Sequence, residues 1–127
     1  MAKTVLSNKP GTSAVVHLNS SNTIVVAGNS SVSDIAYGNE VLTGAYIAQI
    51  FQGAGAMGHI VISRGGEMVG VYDSTGWFDY AGAGMALTLN QESDITVDFV
   101  GTANAYVMIE LQKVGTNLNA NSTYFQV

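Results

Sequence analysis

The chain has 127 residues, enough for one domain. It is 47% apolar, and its 10% of charged residues falls well under the ~25% usual for a soluble domain. Its net charge is −5, and its four basic side chains, Lys3, Lys9, Arg64 and Lys113, are scattered. Clustered cations are what displaces counterions from phosphates, so this pattern excludes nucleic acid and an anionic membrane surface as partners. There is no cysteine, which excludes a disulfide framework, thiol chemistry and thiolate metal sites. So little charge on a Gly-rich chain implies that part of its surface is covered by further copies or by a partner. Met1-Ala2-Lys3-Thr4 has no apolar run behind its lysine, which points to synthesis in a cytoplasm without a secretory signal.

Residues 1–13 are polar and extended, closing on the turn signal Lys9-Pro10-Gly11. Within this N-terminal arm Thr4, Val5 and Leu6 either add a short strand or reach a neighbour. Residues 14–18 and 23–27 are β-branched runs around Asn19-Ser20-Ser21-Asn22 and are expected to pair as a hairpin. Residues 28–33 are a polar loop, and 34–40 suit either a helical turn or an irregular connection. Residues 41–52 are apolar at both parities. A helix would put Ile47, Ile50 and Phe51 on one face, but the β-rich surroundings favour a strand buried on both faces. The uncharged span 41–63 is long enough for a bilayer. Its Thr43, Gln49, Gln52 and His59 and its interrupting glycines instead predict two strands joined by a glycine loop over 53–58.

Gly65-Gly66 between 59–64 and 67–73 is the strongest hairpin signal in the chain, because a glycine pair takes the positive φ angles of a two-residue turn. Period-two alternation follows. Met85, Leu87 and Leu89 point one way; Ile95, Val97 and Phe99 face inward; so do Val107, Ile109 and Leu111. These runs, broken by regular turn signals, predict an all-β domain over 14–114, an antiparallel β-sandwich or a jelly-roll-like barrel with extended N- and C-terminal arms. The C-terminal arm, 115–127, lacks alternation yet carries Leu118, Tyr124 and Phe125. The segment is either a loose tail or, as its apolar end suits, an arm that docks on a neighbour.

The motifs give no catalytic centre. Gly53-Ala54-Gly55-Ala56-Met57-Gly58 fits the dinucleotide fingerprint by letter, but a β-branched run follows it where a helix N-terminus must receive the pyrophosphate. Asp73-Ser74-Thr75-Gly76 is similar to the aspartic-protease triplet with one residue too many, and is read as a turn. His17 and His59 have no second histidine at ligand spacing. Asp94 and Asp98 share a strand face and are read as solvated acids rather than an acid–base pair or a calcium site. The Asn-x-Ser/Thr triplets at Asn19, Asn29 and Asn121 are read as loop chemistry. No cofactor or metal is expected. The aromatic cluster Trp77, Phe78 and Tyr80 is a corner of the core, a protein interface or a carbohydrate platform. In a strand Trp77 and Phe78 face opposite ways, so at least one is exposed.

Three segments carry a resemblance: Lys3-Thr4-Val5-Leu6-Ser7-Asn8-Lys9-Pro10-Gly11, Val71-Tyr72-Asp73-Ser74-Thr75-Gly76, and Ala105-Tyr106-Val107-Met108-Ile109-Glu110-Leu111-Gln112-Lys113. With them the chain, from residue 3 to about 115, resembles small virion structural proteins of marine tailed phages. The resemblance implies a non-enzymatic virion component. Its further implication is a decoration or cement protein on the outer capsid surface, bound to the major capsid protein as a homo-oligomer, commonly a trimer. The interaction residues on this reading are Thr4, Val5, Leu6, Trp77, Phe78, Tyr80, Leu118, Tyr124 and Phe125. Two alternatives stay open: a sugar-binding adhesion module with Trp77, Phe78 and Tyr80 as its platform, and a tail or collar component.

Overall fold

A computed structural model describes residues 3–54, 58–80, 82, 91–101 and 104–116. These form nine strands: β1 (Lys3–Asn8), β2 (Ser13–Leu18), β3 (Asn22–Ile24), β4 (Val41–Gly53), β5 (His59–Arg64), β6 (Glu67–Tyr72), β7 (Thr75–Asp79), β8 (Ile95–Val100) and β9 (Tyr106–Thr116). All pairings are antiparallel. The strands make a five-stranded sheet, β1-β2-β9-β4-β7, and a four-stranded sheet, β3-β8-β5-β6. The two sheets enclose one core, so the fold is a β-sandwich.

Alternation builds that core. Ala14, Val16 and Leu18 of β2 face it together with Val107, Ile109 and Leu111 of β9. From the smaller sheet come Ile24, Ile60, Ile62, Ile95 and Val97. Each aliphatic side chain of this size contributes about 1.5–3 kcal/mol when fully buried. Gly65 and Gly66, with φ of 59° and 80°, make the primed turn of the β5–β6 hairpin.

Three expectations change. Residues 14–18 and 23–27 do not pair: β2 lies in the five-stranded sheet and β3 in the four-stranded one. The intervening turn carries the chain across the sandwich, so Leu18 and Ile24 meet the core from opposite layers. β3 also stops at Ile24, because the next amides find carboxylates instead of a strand. Val25 N donates to Asp34 Oδ2 at 2.7 Å and Val26 N to Asp94 Oδ1 at 3.3 Å.

Residues 41–52 do form a strand, but not one buried on both faces. β4 has register shifts between Leu42 and Gly44 and between Ile47 and Gln49. Each bulge inserts an extra residue and reverses the phase. Leu42, then Ala45 and Ile47, then Ile50 and Gln52 therefore point inward, while Thr43, Tyr46, Gln49 and Phe51 point outward. Residues 34–40 are irregular, and their Glu40 is fully buried.

Thr4, Val5 and Leu6 lie in β1, antiparallel to β2 at one edge of the larger sheet, where Leu6 occupies a bulge. Residues 85–90 and the end of the C-terminal segment, with Leu118, Tyr124 and Phe125, lie outside the described residues. The span 41–63 supplies β4 and β5, strands of different sheets. Among the described residues no helix is long and apolar enough to cross a membrane.

Candidate interaction surface

β7 is the second edge of the larger sheet. The chain leaves β6 in the smaller sheet, passes Asp73 and Ser74, and enters β7 in the larger one. The exits of both sheets thus lie on one flank. β7 pairs with the last third of β4, setting Phe78 opposite Ile50 and Trp77 opposite Phe51. No strand among the described residues pairs with its other side. Trp77 is 57% exposed and Phe78 42% exposed. Such exposure places both rings where a partner can reach them.

The two rings serve different faces. Phe78 follows the inward phase of Ile50. It tilts against Tyr72 at 5.5 Å and lies parallel to Tyr80 at 6.2 Å, closing the rim between β6 and β7. Tyr72 OH and Tyr80 OH approach to 3.5 Å. Burial, aided by this contact, pushes the Tyr72 phenol well above its ordinary pKa.

Trp77 faces outward. Its indole stacks on Phe51 at 5.4 Å with the ring planes 10° apart. Its Nε1 donates to Gln49 Oε1 at 2.8 Å, and Gln49 Nε2 donates to Glu110 Oε1 at 2.6 Å. One amide thereby ties an exposed tryptophan to a carboxylate on the next strand. The stack and the hydrogen bond hold the ring in place before any partner arrives, which lowers the entropy cost of binding.

Register extends this face across the sheet. Met108 lies opposite both Phe51 and His17, and Gln49 lies opposite both Glu110 and Asp79. The Tyr106 ring covers Gly53 so closely that a Cβ there would stand 2.5 Å from Tyr106 Cε1. Its other neighbour is the parallel ring of His17, at 6.3 Å. The outer face beside β7 thus carries Trp77, Phe51, Met108, Tyr106 and His17, with Gln49, Glu110 and Asp79 among them.

The structure therefore brings Trp77, Phe78 and Tyr80 to one flank but splits them between two faces. Thr4, Val5 and Leu6 stand at the opposite edge of the same sheet. The sequence reading missed Phe51, Gln49, Glu110 and Tyr106. Their signal was the outward parity of 106–112, and for β4 it was hidden by the two bulges.

Three of the four cations are committed elsewhere. Lys113 Nζ meets Glu40 Oε1 at 2.8 Å with both side chains fully buried. The same ammonium donates to Asn8 Oδ1 at 2.6 Å, while Glu40 also accepts Gly11 N and Tyr37 N. Arg64 donates to the carbonyls of Ser93, Ala45 and Gln91. Desolvation lowers its pKa to about 10 against the opposing pull of Glu92 and Asp94, so it stays charged at neutral pH. Lys3 pairs with Asp34 at 2.8 Å. Lys9 is exposed in the turn between β1 and β2. Among the described residues no group of three His, Cys, Asp or Glu side chains could hold a metal ion, and Gly58 is followed by β5 rather than a helix.

Comparison with family models, curated proteins and solved structures finds no match for this chain.

Proposed function

We propose that this protein is a non-enzymatic virion structural protein of the capsid-decoration class, which binds the assembled head shell as a homo-oligomer and stabilises it. The observation that carries the reading is β7, the edge strand of the larger sheet among the described residues, on which Trp77 and Phe78 are exposed yet fixed by their neighbours. An edge of this kind offers main-chain hydrogen bonds and aromatic anchors to a neighbouring subunit. The sparse surface charge and the phage-like segments at 3–11, 71–76 and 105–113 support it. A cement protein works by mass action. It has affinity for the assembled shell and none for dispersed subunits, so each bound copy shifts the equilibrium toward the intact particle.

The three-ring sugar platform draws less support, because Trp77 shares no face with Phe78 and Tyr80. The test is to strip the protein from virions, add it back, and follow genome release on heating. Restored heat resistance that requires Trp77 and Phe78 is expected. Unchanged resistance, with the protein located on the tail, removes the reading.

A further inference from the structure

The outer face of the five-stranded sheet beside β7 is aromatic and acidic at once. Trp77 has Phe51 on its inner side and is 57% exposed, so its second ring face is turned away from β4, on the side of β7 where no strand among the described residues pairs. Its N–H is already spent on Gln49, leaving the ring itself as the contact. Asp79 lies two residues along on the same face of β7, roughly 7 Å away at strand rise. Glu110 stands two strands over, with one oxygen engaged by Gln49 and the second without a partner among the described residues. No cation of this chain meets the patch: Arg64 and Lys113 are buried, Lys3 is paired at the opposite edge, and Lys9 sits in the β1–β2 turn.

An electron-rich indole face flanked by carboxylates suits a guanidinium. Its plane stacks on the ring by cation–π attraction, and its fork reaches a neighbouring carboxylate. An anionic or phosphorylated ligand would be repelled, and this chain has no free basic segment that could fill the patch from a second copy. We infer that the outer face around Trp77, Asp79 and Glu110 is a docking site for a basic, arginine-bearing protein segment. The inference deepens the decoration reading and rests on it: the shell contributes the arginine and this chain the aromatic–acidic face.

Trp77 is the only tryptophan, so its emission reports occupancy directly. The probe is a hexa-arginine peptide at physiological salt, with the neutral glucan cellohexaose in parallel. The peptide should perturb the Trp77 emission saturably. The double variant D79N/E110Q keeps the acceptor oxygens for Gly82 N and Gln49 while removing both charges. It should weaken binding roughly fivefold. The control E67Q/D98N removes the same charge from exposed positions of the smaller sheet and should change binding by less than about twofold. Trp77→Ala, read by calorimetry, should weaken it by about tenfold or more.

Equal losses in the two double variants would make the attraction general charge and overturn the inference. Cellohexaose binding through Trp77, with no response to the peptide, would assign the face to a glycan and overturn it too. Stripped capsids separate the two levels of the argument. If wild-type protein and D79N/E110Q rebind equally, the decoration reading stands and the inference falls. If neither rebinds while the peptide result holds, the decoration reading falls and the aromatic–acidic site remains.

Discussion

At the scale of single residues, the most consequential side chains are charges that alternation places indoors. Lys113 shares the parity of Val107, Ile109 and Leu111, and Arg64 that of Ile60 and Ile62. The inward phase was legible in both strands. The residue type pointed to solvent, and only the facing loops reveal that each charge has partners. Glu40 brings its carboxylate to Lys113 and uses both oxygens on the amides of Gly11 and Tyr37, so β9, the β1–β2 turn and the irregular segment 34–40 meet at one buried point. Removing one member strands the other charge in a medium that solvates it poorly. Lys113→Met is therefore expected to cost about 3–5 kcal/mol in urea unfolding, whereas Lys113→Met with Glu40→Leu should recover much of that loss. A single variant that unfolds at the wild-type midpoint would show that water reaches the site and that the pair is not structural.

At the scale of elements, legibility followed phase. Residues 95–100 and 106–111 alternate without interruption, and their inward faces were read correctly. β4 was not readable this way because two bulges reverse its phase, so an amphipathic strand presents apolar residues at both parities. The β2–β3 pairing failed for a different reason. A short polar turn can fold a chain back within one sheet or carry it to the other, and local sequence does not distinguish the two. The second possibility holds the sandwich together at the far end of β5 as well. There Arg64 binds Ala45 O of β4, in the opposite sheet, along with Ser93 O and Gln91 O, while Ala45 N donates to Gln91 O. Lysine keeps the charge but lacks the planar fork. Arg64→Lys should thus leave Ala45 O or Ser93 O without its donor, costing about 1–3 kcal/mol. The loss should be local, seen as faster amide exchange at Ala45 with β2–β9 protection unchanged. Uniformly faster exchange across both sheets would mean that Arg64 supports the whole fold rather than this junction. The same dependence on register kept the interaction surface out of sight. Phe51 and Trp77 become neighbours only when β7 pairs with β4, and Glu110 joins them only through β9.

At the scale of the molecule, the order of strands in space departs furthest from their order in the chain. β9, the last strand among the described residues, lies at the centre of the larger sheet between β2 and β4. Its pairing joins Ser13 to Gln112 and Val41 to Thr116. Until residues 106–116 are available, β1–β2 and β4–β7 are separate ladders. Each is a two-stranded ribbon, which is marginal in water on its own. The inner face of β9, Val107, Ile109 and Leu111, is also missing from the core until then. Long loops must close before these contacts form, so folding should be single-exponential on the millisecond-to-second scale of β-sandwiches. A chain ending at residue 104 should show no cooperative thermal transition and rapid proteolysis throughout. Retention of a cooperative transition by that truncated chain would mean that the four-stranded sheet and the β1–β2 ribbon fold without the central strand, and would refute the dependence of the sandwich on β9. The docking face makes the same demand. Glu110 reaches Trp77 only through Gln49 across the β9–β4 ladder, so the truncated chain should also lose the Trp77 emission shift on binding hexa-arginine.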